Sequence, residues 1–395
     1  MYNIDNNAWF FNYYTNQISN STLRADFQGV ININGYTYKD SFDALKNYFG
    51  NQLQISCLGY YIRFKDNVLL QILLDNNYGD GIGITYEKAE NVTTSFSSTL
   101  FKNNTNITSF NELKEFKNVT YLNGESFYRC SSLESIDLSN INDIGYNCFD
   151  SCNSLASVGD LSKMTRIKRY IFVNCGSLTN ITGLGNVTLI EGNAFQYCSS
   201  LKTIDDLSNV TEIWSSAFRY TNIERLNLTN KLTTLLDRVF EGCKSLVSVG
   251  DLSSVTSIRS NVFSGCTSLV SVGDLSSATS IGENAFRTCT SLVSVGDLSS
   301  ATSIGQNAFR NCTSLTKLDF SVLKSIGTQA FYNNGLTTLI IRTNTVCTIS
   351  TTYNGHTFMQ NCILYVPDNL VDSYKTTEGW SSYPDNIKPL SEYVG

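Results

Sequence analysis

Ten phenylalanines recur at a nearly fixed interval, and that periodicity restricts the chain to a repeat architecture. Phe127, Phe149, Phe172, Phe195, Phe218, Phe240, Phe263, Phe286, Phe309 and Phe331 lie 22 or 23 residues apart. Self-similarity of this kind marks a stack of small units in which each unit packs only on its neighbours. The other apolar residues keep the same register: after Phe263 come Cys266, Leu269, Val272, Leu275 and Ile281, then Phe286. Two adjacent units, Leu269 to Ser291 and Leu292 to Ser314, differ only at Glu283/Gln306 and Thr288/Asn311.

A unit this short holds neither two helices nor four strands, and its length falls within the range of a leucine-rich repeat. In Leu246 to Leu252, Leu246, Val249 and Leu252 point inward around a brief strand, which predicts one parallel sheet built by stacking. In Ile281 to Cys289, the residues Ile281, Ala285, Phe286 and Cys289 have roughly helical spacing, which predicts a short turn of helix, 3₁₀ or barely α, on the convex side. Ten or eleven coils at about 4.8 Å each make a stack on the order of 50 Å long.

The pattern Ser-Leu-x-x-Val-x-x-Leu-x-x-x-Thr-x-Ile-x-x-x-Ala-Phe-x-x-Cys resembles the BspA-type (treponemal-type) leucine-rich repeat of bacterial surface proteins, gut phages and some parasitic protists, and spans Leu100 to about Val366. The resemblance implies a right-handed α/β solenoid that binds other molecules and catalyses nothing. The expected organisation is a small α+β domain over 1–74 for attachment or oligomerisation, a linker and helix over 75–99, the solenoid over 100–366 and a cap over 367–395.

Eight of the twelve cysteines (Cys130, Cys152, Cys175, Cys198, Cys243, Cys266, Cys289, Cys312) stand three residues after a repeat Phe. Parallel side chains aimed into one core have the wrong Cβ vectors for disulfides, and no C-x-x-C pair suggests zinc. The expectation is a ladder of free thiols acting as small apolar groups. A net charge of −6 with 28 Lys plus Arg and no basic run excludes a nucleic-acid surface. No apolar run approaches the length of a transmembrane helix, so membrane insertion is not expected. The start, Met1 to Phe11, has neither the basic nor the apolar region of a secretion signal. The expectation is a signal already removed, or exit from the cell by another route.

The amino-terminal region begins with an aromatic segment, Trp9, Phe10, Phe11, Tyr13 and Tyr14, readable as a docking surface or as packing within its own domain. Asn34-Gly35 between Val30–Ile33 and Tyr36–Tyr38 predicts a hairpin. Phe42 to Phe49 reads as a short capped helix, and Leu53–Phe64 with Val68–Leu74 as a second hairpin. The stretch Asp75 to Glu87 resembles a calcium loop in which Asp75, Asn77, Asp80 and Glu87 would be ligands, although Tyr78 or an inserted residue spoils the spacing. Phe101 to Leu122 reads as a degenerate capping coil, and Asp368 to Trp380 as a capping helix.

No catalytic constellation emerges: the sole histidine, His356, stands alone, and Gly250, Gly273 and Gly296 are periodic rather than a phosphate loop. The ladder Asp160, Asp206, Asp251, Asp274, Asp297 either accepts N–H groups in its own turns or binds cations. The strand face, from Ser135 to Lys317, is polar and poor in aromatics. Only the irregular coil with Trp214, Arg219, Tyr220 and Arg225 has the composition of a binding hot spot; alternatively, Trp214 and Tyr220 fill the space of the cysteine missing at Thr221. The sequence therefore predicts a non-enzymatic, surface-exposed recognition or adhesion protein for a protein or glycan ligand, with no cofactor unless calcium binds. A bacteriophage virion component, fibre or decoration protein, fits the absent signal and would contact other virion proteins. The alternatives are a bacterial or protist cell-surface adhesin, and a structural module that forms homo-oligomers through residues 1–74.

Overall fold

The computed structural model describes residues 23–26, 30–33, 36–39, 62–80, 83–350 and 360–394. Strands Leu23–Asp26, Val30–Ile33 and Tyr36–Lys39 form an antiparallel sheet in that order, with Ile31 opposite Tyr38 and Ile33 opposite Tyr36. This is the strand pairing that Asn34-Gly35 predicts. The turn itself, the aromatic segment, the expected helix Phe42–Phe49, Cys57 and His356 lie outside the described residues.

Val68–Leu74 is not a hairpin strand. Helix Asn67–Asp75 takes its place, because Asp66 accepts the Leu69 N–H at 2.9 Å and Leu69, Leu70 and Leu73 share one buried face. The other carboxylate oxygen of Asp66 accepts the N–H and hydroxyl of Thr108 and the N–H of Ser109. Ser109–Phe110 is the first rung of the stack, so one buried side chain caps the helix and closes the open sheet edge. Phe64 and Phe96 pack on Phe116 with ring centroids 6.5 and 5.4 Å away. Residues 62–74 thus pack on the first coil of the solenoid. The first coil holds Ile107, Phe110, Leu113, Val119 and Leu122 fully buried, as its pattern predicts.

The array is a parallel β-solenoid of about 12 turns, and its coils build two ladders instead of the single sheet predicted. The first runs from Ser109–Phe110 to Ile387–Pro389 and includes Arg225–Leu228 and Lys317–Phe320. The second runs from Tyr121–Leu122 to Thr348–Ile349, with Ile258, Ile281, Ile304 and Ile326 in register. The repeat threonine stitches this ladder: the Thr279 hydroxyl donates to the Thr256 carbonyl at 3.1 Å, and that of Thr302 to Thr279 at 3.0 Å.

The remaining limb is made of single 3₁₀-type turns that never join into a continuous helix. In Gly282 to Cys289, the N–H groups of Ala285, Arg287 and Cys289 bond three residues back within the coil. Those of Asn284, Phe286 and Thr288 bond instead to the carbonyls of Gln306, Ala308 and Arg310 in the next coil, at 2.7 to 2.8 Å. Left-handed Asn284 (φ +54°) and Thr288 (φ +63°) produce this alternation, since each interrupts the right-handed run that a helix requires. Neighbouring coils repeat the device at Asn261/Gly265 and Asn307/Asn311.

Inside, eleven rings from Phe101 to Phe331 form one column, with neighbouring centroids 4.9 to 5.9 Å apart and planes within 17°. Beside it the cysteines are more than small apolar groups. Each repeat thiol donates to the Phe carbonyl of the preceding coil: Cys266 to Phe240, Cys289 to Phe263 and Cys312 to Phe286, all at 3.0 Å. That carbonyl also accepts the cysteine N–H of its own coil, so both lone pairs are used. All eleven cysteines among the described residues are free and buried. Burial pushes the thiols of Cys130 and Cys312 up to about 12 and that of Cys243 up to about 11, which keeps them protonated as donors.

At the carboxyl end the predicted capping helix is the segment Val371–Thr376. Fully buried Tyr374 accepts the Cys347 N–H at 2.8 Å and Trp380 donates to the Cys347 carbonyl at 2.7 Å. These two side chains satisfy backbone groups that a further coil would have taken. The last strand ends at Pro389, which has no N–H to offer an additional strand.

Candidate binding surface

The irregular coil is where a repeat cysteine is absent. Thr221 itself fills that slot: it is buried, its hydroxyl donates to Phe218 at 2.9 Å and lies 3.3 Å from the Cys243 thiol. Trp214 and Tyr220 are thereby free of that role, and the turn limb holds both near the surface.

Tyr220 stacks on Tyr197 of the preceding coil, with centroids 5.2 Å apart and planes 9° apart. The Arg219 guanidinium lies 4.7 Å from the Tyr220 ring centroid, a contact worth about 0.5–1 kcal/mol at an exposed site. Glu241 of the following coil pairs with the same guanidinium at 2.8 Å and so fixes its plane over the ring. Trp214 donates its indole N–H to Glu212 at 2.9 Å. A Cβ at Gly242 would sit 2.3 Å from the Tyr220 ring, whereas one at Gly265 would meet nothing closer than Gly242, 3.7 Å away. Tyr197, Glu241, Gly242 and Gly265 are functional candidates that reading one coil at a time misses; their signal is the repeat offset from Tyr220 and Arg219.

Arg225 does not join this cluster. It lies exposed on the first strand ladder, where the register shifts between Arg225 and Leu228 against Ser248 and Gly250. Further along that face a depression of about 400 Å³ is lined by Val293, Ser294, Gly296, Asp297, Lys317 and Arg342. Its charges are engaged: Arg342 pairs with Asp319 through two bonds of 2.9 Å, and Lys317 donates to the Tyr393 hydroxyl.

The aspartate ladder is committed to its own turns. Asp160, Asp206, Asp251, Asp274 and Asp297 each accept the N–H of the serine two residues on, at 2.7 to 3.1 Å. The Ser208 hydroxyl and N–H hold the Asp206 carboxyl below the usual carboxylate range. In the calcium-like stretch, Asp75 ends a helix and accepts from Gln71, Asn77 is left-handed, and Asp80 accepts the Gly83 N–H at 3.0 Å. Lys88 donates its ammonium to the Gly79 carbonyl at 2.8 Å, and Glu87 lies in the first turn of the helix Tyr86–Glu90. A cation already occupies the loop's carbonyl, and no group of three or more metal-ligating side chains forms among the described residues. No described helix is long and apolar enough to cross a membrane.

Two strand ladders, a turn limb and an unbroken Phe column define a leucine-rich-repeat solenoid. The chain belongs to the BspA type leucine rich repeat family, which it matches in six copies over residues 81–179, 120–247 and 245–362. That family is a non-enzymatic, protein-interaction fold. Among solved structures, a leucine-rich repeat protein from Bacteroides ovatus is 21% identical with a TM-score of 0.54, over 75% of this chain and 86% of its own. A leucine rich cell surface protein from Faecalibacterium prausnitzii is 25% identical, over 57% of this chain and 71% of its own, with a TM-score of 0.40. The leucine rich repeat protein of T. pallidum is 25% identical over 44% of this chain and 72% of its own, with a TM-score of 0.33. No curated protein matches the chain.

Proposed function

We propose that the chain is a surface-displayed recognition or adhesion protein that binds a protein partner through the outer limb of its solenoid. The observation that carries this reading is the cluster of Tyr197, Tyr220, Arg219 and Glu241. It gathers two exposed tyrosines and a half-buried arginine, residue types that dominate binding hot spots, on a rigid scaffold. Both ends of the stack are closed by dedicated side chains, so the array offers its flanks, not its ends, to partners. The test is saturable binding of the full chain to an immobilised panel of extracellular proteins and glycans. Binding that Arg219→Glu weakens supports the reading; an entire panel without saturable binding opposes it.

Display on a virion and display on a cell are separate versions of this reading. Purified particles containing the chain favour a fibre or decoration protein, and antibody labelling of intact cells favours an adhesin. Attachment or self-assembly through residues 1–74 predicts a mass in solution that is a multiple of the 43.9 kDa chain.

A further inference from the structure

We infer that the open end of the Tyr197–Tyr220 stack receives one aromatic side chain from an acidic segment of a partner protein. The inference rests on the recognition reading above and names the chemistry of the partner. Two residues after each repeat Phe, the outer limb carries Tyr197, Tyr220, Gly242, Gly265, Thr288 and Asn311 in successive coils. Gly242 donates to the Ser264 carbonyl at 2.8 Å and Gly265 to that of Arg287 at 2.7 Å, so these rungs are direct neighbours. The two tyrosines stack along the axis, and Tyr220 leans over Gly242. Beyond it stand two rungs without side chains before Thr288, and a Cβ at Gly265 would have only the Gly242 backbone within 4 Å. A further ring set there continues the stack, with an offset face against Tyr220.

The charge around this gap selects the partner. In the turn limbs that surround Phe218 to Phe309 stand Arg219, Arg238, Arg259, Arg287 and Arg310, against Asp237, Glu241 and Glu283, in a chain whose net charge is −6. Asp237 is occupied by the Ser260 N–H and Glu241 by Arg219. Arg259 and Arg287 are exposed and form no ion pair among the described residues. The Arg287 carbonyl accepts the Gly265 N–H at 2.7 Å, and Arg259 opens the turn limb that holds Gly265, with its backbone against Gly282 of the next coil. Unpaired arginines beside an aromatic platform attract carboxylates flanking an aromatic residue. A single-stranded nucleic acid shares that chemistry in part, but the platform is one ring long and the rest of the acidic chain repels a polyphosphate.

The test uses the full chain and end-blocked, fluorescent peptides: Asp-Glu-Trp-Glu-Asp, its central-alanine version and Lys-Lys-Trp-Lys-Lys, with an oligothymidylate beside them. Three proteins are compared: wild type, Tyr220→Asn and the double variant Arg259→Glu/Arg287→Glu. Asparagine occupies the same left-handed position at Asn311, and both arginines are surface groups, so the variants keep the fold. The acidic tryptophan peptide is expected to bind wild type about tenfold tighter than the alanine version. Tyr220→Asn removes that advantage, and the charge reversal transfers preference to the lysine peptide. Equal binding of the tryptophan and alanine peptides, or binding of the oligonucleotide in preference to the acidic peptide, overturns the inference. Peptide binding indifferent to both variants also removes this site, while leaving recognition elsewhere on the solenoid standing.

Discussion

The Cys289 thiol lies 3.0 Å from the Phe263 carbonyl oxygen of the preceding coil, and seven equivalent contacts run along the array from Cys130 to Cys312. A thiol here fills a small apolar slot and donates the hydrogen bond that ties one coil to the next. Cys289→Ala is expected to cost about 1–2 kcal/mol in denaturant unfolding, from the lost donor and a small void. An unchanged midpoint would reduce the ladder to space filling.

The same thiols set an alkaline limit. Their native pKa values are raised by burial, to about 11 for Cys243 and about 12 for Cys130 and Cys312. A raised acid stays protonated in the native state while the unfolded chain begins to ionise near pH ~8.5. The stabilisation is therefore complete below that pH and is lost as pH rises towards the native values, by about 1.4 kcal/mol per pH unit for each thiol. Denaturant midpoints measured at about pH 8, 9 and 10, across this ionisation range, should fall ever more steeply. A flat profile would show that the thiols reach solvent in the native state.

Thr288 holds φ at +63°, in a coil nearly identical to its neighbour, where Asn311 holds +62°. A β-branched side chain is strained in this region and asparagine is tolerated. Thr288→Asn should raise stability by about 1 kcal/mol. The Asn311 side-chain amide donates to the Thr288 hydroxyl at 3.4 Å, a long bond; destabilisation would mean that losing this contact outweighs the relief of strain.

Asp66 joins helix and sheet at the amino-terminal end. Burial opposes its ionisation, but hydrogen bonds from Leu69, Thr108 and Ser109 outweigh it and hold the carboxyl below its usual range. A lowered acid contributes stability above its unfolded value near ~3.9 and loses it as pH falls through the native value. Asp66→Ala should cost about 2 kcal/mol at neutral pH and flatten the acid limb of the pH profile. An acid limb identical to wild type would contradict this coupling.

Much of this architecture was legible in the sequence, because a Phe every 22 or 23 residues and Cys289 three residues after Phe286 leave few alternatives. The helix expected over Ile281 to Cys289 forms only as single turns, for a local reason. Ile281, Ala285, Phe286 and Cys289 do face one side, yet Asn284 and Thr288 are left-handed, and periodicity does not register the sign of φ. Val68–Leu74 failed as a strand because its apolar residues satisfy both periods, and only the Asp66 cap decides between them. In the candidate binding cluster Arg219 and Tyr220 were visible as residue types. Their pairing with Glu241 and Tyr197 required the offset of one coil, and Arg225 was grouped with them only through proximity in the chain.

The loop from Asp75 to Glu87 is held by Lys88 and by backbone donors. Its melting temperature should therefore be the same in EDTA and in added calcium. A rise with calcium would assign Asp75, Asn77, Asp80 and Glu87 a ligand role.

Hydrogen exchange on the full chain, bound to a protein captured from the immobilised panel, tests the placement of binding on the outer limb most directly. Protection is predicted in residues 214–221, 236–243, 259–266 and 282–289, centred on Tyr220 and Gly265. Protection confined to the first strand ladder, or to the depression between Val293 and Arg342, would contradict it.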